Sequence, residues 1–271
     1  MFDVAAQCGY FVLTHVEATV STQMPEGHRL TLYGEASRTV RLHNRLLASL
    51  SSANQENLLL NANEITLPLR SVQYCEYATP KYAYFPASAV LSVVVVTASG
   101  QSAEVGLIGR EGVVGAHHLI GPMKIPTRCF TQIEGSCLRI PYSDLQKAYQ
   151  IVPAIRWRIL EFIQGDLLAI SQTAGCNQMH DVEPRLARWL LMVATRHGSN
   201  ELRLTQETIA EMIGVRRTTI TMVAGKLRQK GLIDYSRGHV QIRNRSELEK
   251  AACDCYWITN QIFNDLYIHE P

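Results

Sequence analysis

Residues 204–232, LTQETIAEMIGVRRTTITMVAGKLRQKGL, predict two short helices joined by a tight turn. The apolar residues of the first helix share one face: Ile209, Met212 and Ile213. Those of the second helix recur at spacings of three and four: Ile220, Val223 and Leu227. Because a helix has 3.6 residues per turn, each set faces a core. Gly214 lies between the helices, where a sharp turn often requires a positive φ that glycine adopts without strain.

The second helix presents an outward face near its N-terminus, formed by Arg216, Arg217, Thr218, Thr221 and Met222. This is where the recognition helix of a helix-turn-helix protein meets base edges and phosphates. The pattern therefore predicts a DNA-binding surface. A helical hairpin with a solvated basic face has the same periodicity, so periodicity alone leaves both interpretations open.

The distribution of charge favours the DNA-binding interpretation. The whole chain is nearly balanced, with 26 basic and 24 acidic residues. Residues 184–250 contain 13 of the basic and 6 of the acidic residues, whereas the rest of the chain contains 13 and 18. Positive charge concentrated on one segment is typical of a surface that binds phosphates.

A β-hairpin is predicted directly after the two helices. In residues 234–242, DYSRGHVQI, the Arg237-Gly238 pair marks a turn, and Val240 and Ile242 alternate as in a half-buried strand. Arg237 and His239 lie near the tip, where they could reach the DNA backbone. A hairpin that only caps the helical core remains an alternative.

These motifs together resemble the winged-helix domain of the Crp/Fnr family of bacterial transcription regulators. The matching positions are Thr205, Ile209, Ala210, Gly214, Arg217, Thr219 and Ile220. The resemblance implies that Arg217 contacts a base or a phosphate, and it adds Thr219 to the predicted DNA-binding residues. Thr218 and Met222 stand where the family often has an acidic residue and a second arginine, so the family's usual half-site does not transfer.

The amino-terminal region resembles the β-roll sensor domain of the same family. Between residues 67 and 141, short apolar runs such as YAYFP and AVLSVVVVTASG alternate with glycine and proline turns, which indicates antiparallel sheets. The glycine-rich segment 106–115, GLIGREGVVG, adds to the likeness. We therefore predict an α+β fold with an antiparallel β-roll, a long dimerisation helix and a winged helix-turn-helix.

The predicted domains cover the whole chain. Residues 1–40 are predicted to be a disordered extension, 41–150 the β-roll and 151–178 the dimerisation helix. Residues 179–250 are predicted to be the DNA-binding domain and 251–271 an extra helical tail. The first 14 residues lack a basic leader and a cleavage site, so no signal peptide is expected.

The sensor region departs from the family's cyclic-nucleotide binders. Gly115 is followed by Ala116 and not by the glutamate that accepts the ribose hydroxyl, and Arg128-Cys129 stands where the phosphate-binding arginine is expected. An unpaired buried hydroxyl costs about 1–3 kcal/mol, so we do not expect cyclic AMP to bind. Gly115, Arg128 and Cys129 remain candidate ligand-binding residues, and Arg128 could instead form a surface salt bridge.

No metal or other cofactor is predicted. His117 and His118 are adjacent, which is a poor arrangement for ligating one ion, and a solvated loop is expected. The seven cysteines contain no CxxC pair, and Cys253-Asp254-Cys255 has no Cys/His motif nearby in sequence. An iron–sulfur cluster is therefore disfavoured, and free thiols in a reducing cytoplasm are expected. Cys129 is the candidate for thiol sensing.

A long helix is predicted to begin near Pro153 and to end at Gly175 and Asn177. Its apolar stripe comprises Ile155, Ile159, Phe162, Asp166, Ala169 and Thr173. A core helix of a monomer would show the same stripe. The family resemblance favours a helix that pairs with its twin in a parallel dimer.

These features predict a homodimeric, sequence-specific transcription regulator in the cytoplasm. The expected partners are double-stranded DNA with a palindromic operator, a second copy of the chain and RNA polymerase, with an unknown small-molecule effector and no membrane. A regulator that responds to another small anion or to thiol oxidation is an alternative, as is a cyclic-nucleotide receptor acting on a protein. Enzymatic activity is not expected, because the chain has no Walker loop, GxSxG or HExxH motif.

Overall fold

The alternating and apolar runs of the amino-terminal half form two antiparallel sheets in the computed structural model, which describes residues 43–269. The predicted disordered extension, residues 1–40, lies outside the described residues. Helices α1 (Arg45–Ala48) and α2 (Ser52–Leu58) precede the strands. The strands are β1 (Asn63–Leu67), β2 (Val72–Tyr74), β3 (Tyr82–Pro86), β4 (Val90–Val96), β5 (Ser102–Ile108), β6 (Thr127–Ile133) and β7 (Gly135–Pro141). One sheet has the order β1-β7-β3 and the other β2-β6-β4-β5.

The unbroken apolar sequence of β4 reflects burial on both faces of its sheet. Leu91 and Val93 belong to the core of the β-roll, whereas Val90 and Val94 belong to a second core that they share with the carboxy-terminal helices. Successive side chains of a strand point to opposite faces, so a strand packed on both sides has no polar face.

Two helices follow the last strand of the roll: α3 (Tyr142–Ile151) and α4 (Pro153–Met179). Pro153 begins α4 as predicted, because a proline at the first helical position loses no hydrogen bond. Gly112 allows α4 to approach the roll, since a Cβ built on this glycine would lie 2.1 Å from the ring of Phe162. The predicted end at Gly175 and Asn177 is wrong: α4 continues to Met179, and the N–H of His180 still bonds the carbonyl of Cys176.

The predicted apolar stripe of α4 faces its own chain. Ile155, Ile159, Phe162, Asp166 and Ala169 are buried within the monomer, so they are unavailable to a partner helix. A different face of α4 exposes large apolar side chains, namely Trp157, Leu160, Leu167 and Leu168. The sequence pattern identified this face correctly as apolar. The β-roll and the tail cover it, however, and not the helix of a partner chain as the resemblance implied.

The carboxy-terminal part has the order α5 (Val182–His197), β8 (Glu201–Arg203), α6 (Gln206–Ile213), α7 (Arg217–Gln229), β9 (Ile233–Ser236) and β10 (His239–Ile242). The strands form a sheet with the order β8-β10-β9, in which β8 was not anticipated from the sequence. The prediction of an α+β fold with antiparallel sheets, long helices and a carboxy-terminal helix-turn-helix is confirmed. Within residues 43–269, no helix is long and apolar enough to cross a lipid bilayer.

Two further helices follow, α8 (Arg245–Ala251) and α9 (Cys255–Asn264). The described part of the predicted tail, residues 251–269, returns to the long helix through α9 and the residues after it. Leu266 packs against Gly165 of α4, where an added Cβ would lie 2.9 Å from the leucine side chain. The backbone N–H of Tyr267 donates to Glu161, and Arg158 donates to the carbonyl of His269. Gly165 therefore serves close packing of the tail against α4.

Polar groups also join the roll to α5. Glu104 of β5 accepts hydrogen bonds from the indole of Trp189 at 2.7 Å and from the Ser92 hydroxyl at 2.6 Å. Arg196 forms a buried ion pair with Glu111 at 2.9 Å. Burial raises the pKa of Glu104 to about 7, although the hydrogen bonds from Ser92 and Trp189 oppose the rise.

The substitution Glu104→Gln is expected to flatten the pH dependence of stability. Because the folded pKa is about 7 and the unfolded value is about 4.3, Glu104 contributes stability at low pH that is lost as pH rises through 7. In denaturant titrations between about pH 5 and 8, the free energy of unfolding should therefore fall less in the variant than in the wild type. Glu134→Gln, at an exposed position, is the control; parallel profiles for Glu104→Gln and wild type would contradict the assignment.

Candidate nucleic-acid interface

The first helix of the helix-turn-helix is built as its sequence indicates. Thr205 caps α6, and its side chain accepts a hydrogen bond from the N–H of Thr208. The apolar face is buried and consists of Ile209, Ala210, Met212 and Ile213. Gly214 ends the helix with φ 74°, in the left-handed region predicted for it. The turn therefore sets the direction of α7 relative to α6.

The second helix, α7, buries one side and exposes the other. Ile220, Val223, Ala224 and Leu227 are buried in the core that the carboxy-terminal part shares with the β-roll. Of the predicted DNA-binding residues around its N-terminus, Arg216, Arg217, Thr218, Thr221 and Met222 are exposed, whereas Thr219 is half-buried. The Thr221 hydroxyl donates to the side chain of Gln206 at 2.7 Å, which ties α7 to α6.

The wing, which is the hairpin of β9 and β10, has the tight turn expected from its sequence. Arg237 and Gly238 have φ values of 48° and 80°, so both central turn residues are left-handed, as a type I′ turn requires. His239 pairs with Ser236 across the turn. Arg237 and His239 are both exposed on the same hairpin.

Tertiary structure sorts the basic residues of the carboxy-terminal part into two groups. Seven are inward-facing or engaged with other groups: Arg185, Arg188, Arg196, Lys230, Arg243, Arg245 and Lys250. Six are exposed and form no ion pair among residues 43–269: Arg203, Arg216, Arg217, Lys226, Arg228 and Arg237. Most of the available positive charge therefore lies on α7 and at the wing tip.

The candidate ligand-binding residues of the roll are already engaged. Arg128 forms an ion pair with Glu76 at 3.1 Å, which matches the salt-bridge alternative. Cys129 is fully buried, and burial raises the pKa of its thiol. Gly115 has φ 103°, and the ring of Tyr142 lies 3.3 Å from the position of an added Cβ.

The prediction that His117 and His118 lie in a solvated loop is wrong. They belong to a 3₁₀ turn, Ala116–Leu119, that packs against α4. His117 pairs with the buried carboxylate of Asp166 at 3.1 Å. Burial lowers the pKa of His117, but the hydrogen bond and charge of Asp166 produce a net rise. His118 packs edge-on against Tyr74, and burial with the neighbouring His117 lowers its pKa to about 4.

The cysteines are arranged differently from the scattered free thiols expected from the sequence. Free thiols are found at Cys129, Cys137, Cys176, Cys253 and Cys255, whereas Cys75 is disulfide-bonded. Cys176, His180, Cys253 and Cys255 come together where α4 ends, with their candidate ligand atoms within 4.8 Å of one another. Sequence reasoning missed this cluster because Cys176 and Cys253 are 77 positions apart. The four-residue spacing of Cys176 and His180 on one helix face was the available signal.

Comparison with known proteins finds similarity both in the helix-turn-helix and along the rest of the chain. Residues 184–251 match the model of the Crp-like helix-turn-helix domain. The chain is 25% identical over 213 residues to the global nitrogen regulator of Synechococcus elongatus, covering 71% of this chain and 95% of that protein. It is 23% identical over 178 residues to the global nitrogen regulator of a Nostoc species, covering 62% and 79%.

Solved structures show the same fold. A Crp/Fnr-family regulator from Eubacterium rectale aligns with a TM-score of 0.60 at 16% identity, covering 77% of this chain and 98% of that one. The c-di-GMP responsive regulator CLP of Xanthomonas campestris aligns with a TM-score of 0.59 at 19% identity, covering 72% and 100%. FixK2 of Bradyrhizobium japonicum aligns with a TM-score of 0.59 at 17% identity, covering 71% of this chain and 98% of that one.

Two glycine substitutions in the helix-turn-helix should shift stability in opposite directions. Neither Gly214 nor Gly225 has an atom within 4 Å of an added Cβ, so packing does not distinguish them. Gly214→Ala forces a left-handed alanine and should lower the free energy of unfolding by about 1–2 kcal/mol. Gly225→Ala, inside α7, should raise it by roughly 0.5–1 kcal/mol. Urea titrations of both variants measure the free energy of unfolding. Changes of the same sign in the two variants would contradict the prediction.

Proposed function

The chain belongs to the Crp/Fnr family of transcription regulators, and we propose that it binds specific DNA sequences as a homodimer without requiring cyclic AMP. The main support is the exposed basic surface of α7 and the wing tip within a Crp-like helix-turn-helix domain, a surface whose arginines and lysine form no ion pair within the described residues. The N-terminus of a recognition helix enters the major groove, and a wing beside it can reach the sugar-phosphate backbone.

Each predicted contact residue has a role in this proposal. Arg217 contacts a base edge or a phosphate, and Arg216, at the N-cap of α7, contacts a phosphate and sets the orientation of the helix. The remaining contacts come from Thr218, Thr219, Thr221 and Met222. Arg237 and His239 of the wing contact the backbone. The half-buried Thr219 contributes least, because much of its surface faces the protein.

The homodimer is supported by the exposed apolar face of α4. Trp157, Leu160 and Leu167 follow a spacing of three and seven, which is the seam pattern of paired helices. The opposite face of α4 is buried against the roll and the tail. We therefore assign the exposed face between residues 157 and 168 to the helix pairing and retain the predicted domains: the roll at 41–150, the helix at 151–178, the DNA-binding domain at 179–250 and the tail at 251–271.

The independence from cyclic AMP rests on the engaged sensor residues. Arg128 is held by Glu76, and the chain has Ala116 where the nucleotide binders have a carboxylate. His117 instead connects the roll to Asp166 of α4, and Tyr74 and Tyr142 enclose His118. A thiol-responsive function at Cys129 is not favoured, since a buried thiol with a raised pKa is a poor nucleophile.

Selection of bound DNA from a random library, without an added ligand, tests this function. We expect a palindrome whose half-sites are about one helical turn, ~34 Å, apart. On that operator, Arg217→Ala should weaken specific binding by about 1–3 kcal/mol, because it removes one charged contact. Lys147→Ala, an exposed basic residue on α3, is the matched control and should bind as the wild type does. Enrichment of no sequence, or unchanged affinity of Arg217→Ala in gel-shift titrations, would contradict the assignment.

The substitution Leu167→Glu is expected to separate the dimer into monomers. It places a charge at the exposed apolar face of α4, where burial against a partner helix would desolvate it. Sedimentation equilibrium measures the mass: two chains for the wild type and one for the variant. Met123→Glu places the same charge on another exposed apolar residue and should remain dimeric. A variant mass of two chains would refute this helix face as the interface.

A further inference from the structure

The cluster of Cys176, His180, Cys253 and Cys255 connects two distant parts of the chain. Cys176 lies in the last turns of α4, and His180 is the residue that ends this helix. Cys253 and Cys255 lie at the junction between α8 and α9. The three cysteines are buried and form a small cluster apart from both large cores. Three buried thiols beside an imidazole are a preferred ligand set for zinc.

The distances fit one metal ion. The Cys176 and Cys253 sulfurs are 3.5 Å apart, and the Cys255 sulfur lies 3.5 Å from Nδ1 of His180. In a tetrahedral zinc site with Zn–S of about 2.3 Å and Zn–N of about 2.0 Å, neighbouring ligand atoms are roughly 3.5–3.8 Å apart. All four candidate ligand atoms lie within 4.8 Å of one another, so the largest separation exceeds this range by about 1 Å at most.

A second set of contacts supports the metal-ligand role of His180. Its Nδ1 faces the thiols, while its Nε2 lies 3.3 Å from the carboxylate of Asp254. Metal-binding histidines commonly donate the other ring N–H to a carboxylate, which fixes the ring and its tautomer. The Gln172 amide donates to the sulfur of Cys255 at 3.1 Å, as an outer hydrogen bond to a thiolate would.

The surrounding charge fits an anionic complex. Three thiolates and a neutral imidazole around Zn²⁺ have a net charge of −1. Arg188 is buried next to the cluster, and its hydrogen bonds go to neutral groups, the Thr173 hydroxyl and the Met192 sulfur. A buried cation is costly unless anionic groups lie nearby. Arg188 interacts with the carboxylate of Glu104, and the zinc–thiolate complex would supply a further anion beside it.

We propose that Cys176, His180, Cys253 and Cys255 bind a single zinc ion that fixes the carboxy-terminal tail to the end of the long helix. Each thiol releases its proton to solvent on binding, and the imidazole binds in its neutral form. The ion also fixes residues 180–181, the short connection between α4 and the DNA-binding domain. This site is independent of the DNA-binding function proposed above.

An iron–sulfur cluster fits the geometry less well than zinc does. Such a cluster places bridging sulfides between its irons, so its protein ligands must spread around several metal ions. The four ligand atoms here lie too close together for this arrangement. A Cys176–Cys253 disulfide would leave His180 and Cys255 without a role.

Metal analysis of the untagged full-length chain, purified with a reductant, tests the proposal. Mass spectrometry of the digested protein should find about one zinc per chain. Cys253→Ser should lose most of this zinc, whereas Cys129→Ala, which removes a buried thiol from the roll, should retain it. Co²⁺ added to chelator-treated wild type should give the visible absorption of a tetrahedral thiolate complex, a measurement that does not require a folded variant.

A second variant tests the outer contacts. Asp254 is largely exposed, so Asp254→Ala should fold normally and bind zinc roughly 10–100-fold more weakly in competition with a chromophoric chelator. Any of three results would overturn the proposal: less than about 0.2 zinc per chain with no Co²⁺ spectrum, stoichiometric iron in place of zinc, or undiminished zinc in Cys253→Ser.

Discussion

The double burial of the sheet β2-β6-β4-β5 is the constraint on which the rest of this structure depends. One face of β4 closes the β-roll, and the other face joins the core of α5, α6 and α7. Because apolar burial contributes about 25 cal/mol per Å², separating the carboxy-terminal helices from this sheet would expose a costly surface. Trp189 with Glu104 and Arg196 with Glu111 add directional contacts, which set the orientation of α5 on the roll.

This arrangement divides the long helix into faces with separate tasks. Phe162 and Asp166 of α4 contact the roll, Gly165 receives Leu266 of the tail, and Leu167 is left exposed. A change in the roll that moves Asp166 would therefore also move the tail and the exposed face. In the proposed dimer, such a movement would alter the spacing between two recognition helices, so that one of two populated arrangements fits successive major grooves.

The candidate DNA interface was predictable from the sequence because its determinants are local. A cap at Thr205, a left-handed Gly214 and the spacing from Ile220 to Leu227 specify two helices and the face that each one buries. The wing follows from Arg237-Gly238 for the same reason, since turn geometry depends on a few adjacent residues. The sequence could not show which basic residues lack an ion-pair partner among the described residues. Arg196 and Arg243 are arginines like Arg217, but each of them forms an ion pair, Arg196 with the distant Glu111 and Arg243 with Asp234 on the neighbouring strand.

The sequence by itself determined the fold class, the helix-turn-helix and the absence of the ribose-binding carboxylate after Gly115. Periodicity, turn geometry and motifs each depend on residues that are close together in the sequence, so they can be recognised without the tertiary structure. Only the tertiary structure decided the rest. It turned the predicted stripe of α4 toward its own roll, buried His117 against Asp166 and assembled Cys176, His180, Cys253 and Cys255 into one cluster. Periodicity shows that a helix face is apolar but does not identify what covers it. Likewise, spacing along the chain cannot reveal ligands that converge only when the tail folds back onto a helix some 75 residues earlier.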